Sequence, residues 1–94
     1  MNTTSASLRA ELLAALDDAN VLGIGEAETR QAFITGKSDI RFDDLEIDSL
    51  ALMQLCIAIE VRTSVVIEPN ELATMLSLAE LEKYLQDRRL EMHA

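Results

Sequence analysis

Leucines at positions 8, 12, 13 and 16 recur at helical spacing near the start of the chain, preceded by Ser5 and Ser7 as candidate N-caps. This predicts a first helix running to about Ala19 or Asn20, with Gly23 available to end it. From there to Leu45 no period is sustained, and the stretch contains Gly23, Gly25 and Gly36. Connections longer than about 12–15 residues are uncommon in compact domains unless they are functional or contain structure of their own. A short turn of helix around Thr29 to Ile34 is therefore predicted, with Phe33, Ile40 and Phe42 as apolar pins holding the segment to the core.

The clearest element runs from Ser49 to about Arg62, with Asp48 as its N-cap and no Gly or Pro inside. At about 100° per residue its apolar side chains fall into two groups rather than one stripe. Leu52, Leu55, Cys56 and Ile59 share one face; Leu50, Met53, Ile57 and Val61 share another. The first group is assigned to the core. The second, near Ser49, is expected to be at least partly exposed for a partner, the alternative being that the long loop folds over it and buries both faces.

Val65-Val66-Ile67 then reads as extended, and Pro69 suits the first turn of a short helix over about Asn70 to Met75. Ser77 and Glu80 form an S-x-x-E capping box for a last helix, whose core stripe is Leu78, Leu81 and Leu85 and whose end is the polar Arg88-Arg89. The expected fold class is all-α: a four-helix bundle of three longer helices and one short one, with a long loop between the first and second. A chain of 94 residues makes one domain, 1–94, with flexible ends expected at about 1–6 and 89–94.

Charge narrows the range of partners. Seventeen acidic against eight basic side chains give a net charge of −9, which repels phosphate backbones and anionic headgroups. Neither nucleic acid nor a membrane is expected as a partner; the acidity favours basic protein surfaces and also serves solubility. The lone cysteine, Cys56, lies in an apolar run and is read as a small buried hydrophobe. Residues 1–7 lack a basic and hydrophobic signal pattern, so a cytoplasmic location is expected.

Several motif fragments fail. Gly23-Ile24-Gly25 has no preceding strand and lacks the third glycine of a dinucleotide-binding turn. Gly36-Lys37-Ser38 resembles the end of a phosphate-binding loop, but Gln31 stands where that motif needs glycine. The single histidine, His93, lies one residue from the C-terminus, so no Ser-His-acid or Cys-His pair and no metal set can be assembled around it. Asp43, Asp44, Glu46 and Asp48 read as a solvated acidic loop. No catalytic residue is expected.

One stretch survives. Phe42-Asp43-Asp44-Leu45-Glu46-Ile47-Asp48-Ser49-Leu50 places a serine hydroxyl at a helix start, directly after an acidic cap and ahead of an uninterrupted apolar helix. Here the chain resembles the acyl carrier and peptidyl carrier protein family. Asp48-Ser49-Leu50 matches the Asp-Ser-Leu core of that family, Leu45 matches upstream, and Leu52, Met53, Leu55 and Ile59 match downstream. The order of elements, including the Ile67-Glu68-Pro69 step before the short helix, matches over nearly the whole chain. The family usually has glycine three residues before the serine, where this chain has Glu46.

The resemblance implies a free-standing, non-enzymatic, monomeric carrier. Ser49 would hold 4′-phosphopantetheine, covalently attached from coenzyme A, with Asp48 and Leu50 flanking it. It implies three kinds of partner: a phosphopantetheinyl transferase, an acyl- or aminoacyl-loading ligase, and downstream synthase or transferase enzymes. The face just after the serine, comprising Leu50, Met53, Ile57, Glu60 and Val61, would receive them. Glu60 is the only acid on that helix, so a specialised polyketide-like or nonribosomal-peptide-like pathway is favoured over housekeeping fatty-acid synthesis. The competing reading is a small acidic adaptor, or degenerate carrier, that binds a protein through the same helix and never receives a prosthetic group.

Overall fold

The computed structural model of the chain describes residues 4–21 and 27–93, with side chains over 8–21 and 27–89. Its elements are α1 (Thr4–Asp18), α2 (Ala27–Ile34), a 3-10 turn (Phe42–Asp44), α3 (Ser49–Thr63), α4 (Pro69–Leu72) and α5 (Leu78–His93). The fold is all-α. An isolated antiparallel bridge joins Arg41 and Ser77.

α1 packs against α3, α2 and α5, and α4 packs on α3. Leu8, Leu12, Leu13 and Leu16 of α1 meet Leu55 and Ile59 of α3 and Leu78, Leu81 and Leu85 of α5 in one core. α1 opens at Thr4, so Ser5 and Ser7 lie inside its first turn rather than capping it. The helix is closed by Asn20 in the left-handed region, φ 58°. The Asn20 N–H donates to the Asp17 carbonyl and the Val21 N–H to the Leu16 carbonyl, the paired bonds of a Schellman ending. Asn20 thus does the work expected of Gly23, which lies outside the described residues.

The long connection contains more helix than predicted: α2 spans eight residues where a single turn was expected. Gly36, φ 82°, closes it in the same way, with Gly36 and Lys37 N–H groups donating to the Phe33 and Ala32 carbonyls. Phe33 and Ile40 are buried, and Phe42 packs against the core from its edge. Arg9 ties three helices together. Its guanidinium stacks 4.4 Å from the centroid of the Phe33 ring, donates through Nη1 to the Phe33 carbonyl, and donates through Nε to Oε1 of Glu82 on α5. Arg62, near the end of α3, reaches Asp18 and Glu11 of α1, each at 2.9 Å.

After α3, Val65 and Ile67 are buried while Val66 between them is exposed, as an extended segment requires. Pro69 occupies the first turn of α4, which is shorter than the 70–75 expected. The capping box predicted for the last helix forms by half. Ser77 Oγ accepts the Glu80 N–H, but the Glu80 carboxylate takes the Leu76 N–H. Asp39, far back in the chain, supplies the other acceptor by taking the Ala79 N–H. α5 continues past Arg88-Arg89 to His93; of the ends expected to be flexible, residues 4–6 and 89–93 are helical, whereas residues 1–3 and 94 and the side chain of His93 lie outside the described residues.

Candidate functional site

The site is built where the long connection enters α3. Asp48, in extended backbone at φ −91°, accepts the Ala51 N–H on its carboxylate and fixes the helix start. Ser49 is therefore the first helical residue, and its side chain lies in an exposed position rather than in the core. A first helical turn leaves backbone donors without intrahelical partners; with Ala51 taken by Asp48, the Ser49 and Leu50 N–H groups remain without an acceptor among the described residues. An exposed hydroxyl thus stands at the positive end of a 15-residue helix.

α3 divides its apolar side chains cleanly. Leu55 and Ile59 are 1% and 0% exposed, and Cys56 is also buried, whereas Leu50, Met53, Ile57 and Val61 are 63%, 54%, 62% and 78% exposed. Leu52 lies half-buried between them. The connecting loop does not fold over the second group. Glu60 is exposed beside it, and Asp43, Asp44, Glu46 and Asp48 are all exposed at the serine end. Acid is therefore concentrated at one end of an otherwise apolar stripe.

A cleft of about 420 Å³ opens beside Ser49, lined by Phe42, Leu45, Ile47 and Leu52 from the connection and α3 and by Leu72 and Met75 from α4 and the turn after it, with Asp43 and Asp48 also in its lining. Leu72 belongs to α4, which is tied to α5 by a hydrogen bond from the Tyr84 hydroxyl to Glu71 Oε2. Sequence reasoning did not find this cleft, because its walls come from three segments whose apolar residues follow no shared period. Burial, and secondarily the nearby Glu71 carboxylate, hold the Cys56 thiol above its ordinary range, which suits an inert core residue. Among the described residues no group of three or more His, Cys, Asp or Glu side chains is arranged to hold a metal ion, and no helix is long and apolar enough to cross a membrane.

The family model described as phosphopantetheine attachment site matches residues 11–85. The chain belongs to that family. Domains of the phosphopantetheine attachment-site family are carriers rather than catalysts, and they work with phosphopantetheinyl transferases and with loading and synthase enzymes. Neither the curated proteins nor the solved structures contain a match to this chain.

The residues present fit the family's prosthetic group. The matched span contains Asp48-Ser49-Leu50, an exposed alcohol is available for a phosphodiester, and it stands at the end of α3 where the helix dipole and the Ser49 and Leu50 N–H groups, without an acceptor among the described residues, favour an anion. Glu46, where the family usually has glycine, is exposed.

Proposed function

We propose that Ser49 is the attachment residue and that the chain is a free-standing carrier holding acyl or aminoacyl intermediates for partner enzymes. The observation that supports this most is the division of labour at the head of α3: Asp48 does the capping, which leaves the Ser49 hydroxyl exposed with no hydrogen bond to keep among the described residues. In the loading step Ser49 Oγ forms a bond to the β-phosphorus of coenzyme A, the pyrophosphate P–O bond breaks, adenosine 3′,5′-bisphosphate leaves, and the hydroxyl proton passes to the transferase. The thiol of the bound arm then holds cargo as a thioester, and tethering makes delivery a local event once the carrier has docked.

Docking falls to Leu50, Met53, Ile57, Glu60 and Val61. Their exposure in a folded chain is unusual for large apolar side chains set in a row, and such patches mark interaction sites. With one acid on α3 itself, the interface is mainly hydrophobic, which suits a specialised polyketide-like or nonribosomal-peptide-like system. The partners are then a transferase, a loading ligase and a downstream synthase or transferase. Intact mass after incubation with coenzyme A and a broad-specificity phosphopantetheinyl transferase tests the reading. A gain of one phosphopantetheinyl group on the native chain and none on Ser49→Ala is expected. A folded native chain that gains nothing is an adaptor instead.

A further inference from the structure

Along the second half of α3 the exposed stripe borders a recess of about 300 Å³, lined by Gln54, Ile57, Ala58 and Val61 together with Asp18 of α1. The four α3 residues stand at i, i+3, i+4 and i+7, the spacing at which one helix forms a hole for a single side chain of another. Ala58 supplies only a methyl group, which leaves the hole deep, and Asp18 is already paired with Nε of Arg62 at 2.9 Å. A side chain of the right kind stands two turns back on the same helix: Leu50, 63% exposed. At 100° per residue Leu50, Met53, Ile57 and Val61 span an arc of only about 80°, so knob and hole face the same way. A second α3 turned end for end therefore lays its Leu50 over this recess and receives this Leu50 in its own. One two-fold axis passing beside Gln54 satisfies both contacts.

We infer that this face also binds a second copy of the chain, with the two α3 helices antiparallel and Leu50 of each seated in the recess of the other. Charge selects the direction. A parallel pair sets the exposed Asp43, Asp44, Glu46 and Asp48 of both copies side by side, whereas an antiparallel pair places each acidic cluster at the Arg62 end of its neighbour and opposes the helix dipoles. Two chains of net charge −9 still repel each other overall, so the pair strengthens as salt screens that repulsion. The overlap of the two stripes covers roughly half of the 800 Å² per partner of a standard interface, which makes the pair a transient one with a Kd on the order of 0.1–1 mM. Pairing covers Leu50, Met53, Ile57 and Val61 and brings Ser49 to the border of the contact, so a crowded chain shields its own docking face. The inference goes beyond the carrier reading and does not depend on it, since stripe and recess belong to the unmodified chain.

Sedimentation velocity of the unmodified full chain, from about 20 μM to about 2 mM in about 0.5 M salt, tests the pairing across the expected Kd. The weight-average mass should climb from monomer towards dimer, and Leu50→Lys and Ile57→Glu should each hold it at monomer over the same range. Cross-linking tests the register. On a Cys56→Ala background, Gln54→Cys lies beside the two-fold axis and should form a disulfide-linked dimer under mild oxidation. In the antiparallel pair the two copies of residue 60 are six residues from the axis on opposite sides, about 18 Å apart, well outside the roughly 7 Å reach of a disulfide. Glu60→Cys should therefore cross-link at least about tenfold more slowly than Gln54→Cys, whereas a parallel pair brings both positions together. A mass that stays monomeric to the highest concentration, dimers that persist in Ile57→Glu, or equal cross-linking at the two positions overturns the inference. None of these results bears on whether Ser49 gains a phosphopantetheinyl group, which the intact-mass experiment decides separately.

Discussion

Asp48 accepts the Ala51 N–H through Oδ1 at 2.8 Å across the first turn of α3, passing over the serine that lies between them. A serine at a helix start often caps with its own hydroxyl; here the preceding aspartate holds that role and leaves Ser49 free for other chemistry. Replacing Asp48 with alanine should cost about 1 kcal/mol. For a domain of this size that lowers the melting temperature by about 4–8 °C. Asp48→Asn should lose little, since an asparagine oxygen accepts the same N–H. Thermal unfolding followed by circular dichroism separates the two, and equal losses in both variants would mean that charge rather than capping matters there.

The exposed stripe on α3 makes a different demand. Met53→Glu or Ile57→Glu places a charge in water, so folding stability should change by no more than about 0.5 kcal/mol. If partners dock on this face, kcat/KM for the transferase acting on these variants should fall by tenfold or more, about 1.4 kcal/mol or above of lost transition-state binding. Leu55→Ala and Ile59→Ala should behave in the opposite way, costing about 2–5 kcal/mol of stability through a cavity in the core. Parallel measurement of denaturant midpoints and modification rates tests both halves.

Much of this arrangement was legible from spacing together with the family resemblance, and the reasons are local. The assignment of Leu55 and Ile59 inward and of Leu50, Met53, Ile57 and Val61 outward follows from helical angle together with the position of Ser49. The cap at Asp48 follows from residue type at a helix start. What spacing could not show depends on partners far apart in the chain. Asn20 ends α1 because its short polar side chain tolerates the left-handed region, yet a nearby glycine is the stronger signal in the sequence. Asp39 caps α5 from across the fold. No pattern in the sequence singles out Arg9, and only the packing of α2 and α5 around it makes it a structural centre.

That centre has an uneven distribution of partners. Both Nε and Nη2 of Arg9 lie 3.0 Å from Glu82 Oε1, whereas Glu82 Oε2 is buried with no hydrogen-bond partner among the described residues. Removing the cation should hurt more than removing the anion, because Arg9 keeps the Phe33 carbonyl and ring when Glu82 is lost, but Glu82 keeps nothing when Arg9 is lost. Arg9→Met should therefore cost about 3–5 kcal/mol. Glu82→Ala should cost about 1.5–3 kcal/mol. The double variant Arg9→Met/Glu82→Leu should be more stable than Arg9→Met alone. Urea unfolding of the three variants checks the order, and a reversal of the first two would show that the ring contact and carbonyl bond carry little.

Cys56 gives the last expectation, in pH rather than in sequence. Its thiol is held above its ordinary range, first by burial and then by the Glu71 carboxylate, so the folded state keeps the proton more tightly than the unfolded chain does. In the pH window above the ordinary thiol value the folded state binds more protons than the unfolded one. The slope of unfolding free energy against pH is then negative. The contribution is fully present below the unfolded thiol pKa and is lost as pH rises through the folded one. Cys56→Ala has no thiol to titrate, so subtracting its stability profile from that of the native chain cancels the other groups that titrate there. The difference should be flat near neutral pH and should decline on going from pH 8 towards pH 10, and the native thiol should react with a disulfide reagent slowly until the chain is unfolded. A difference that stays flat to pH 10, together with rapid labelling of the folded chain, would place the Cys56 thiol in solvent and remove it from the core face of α3.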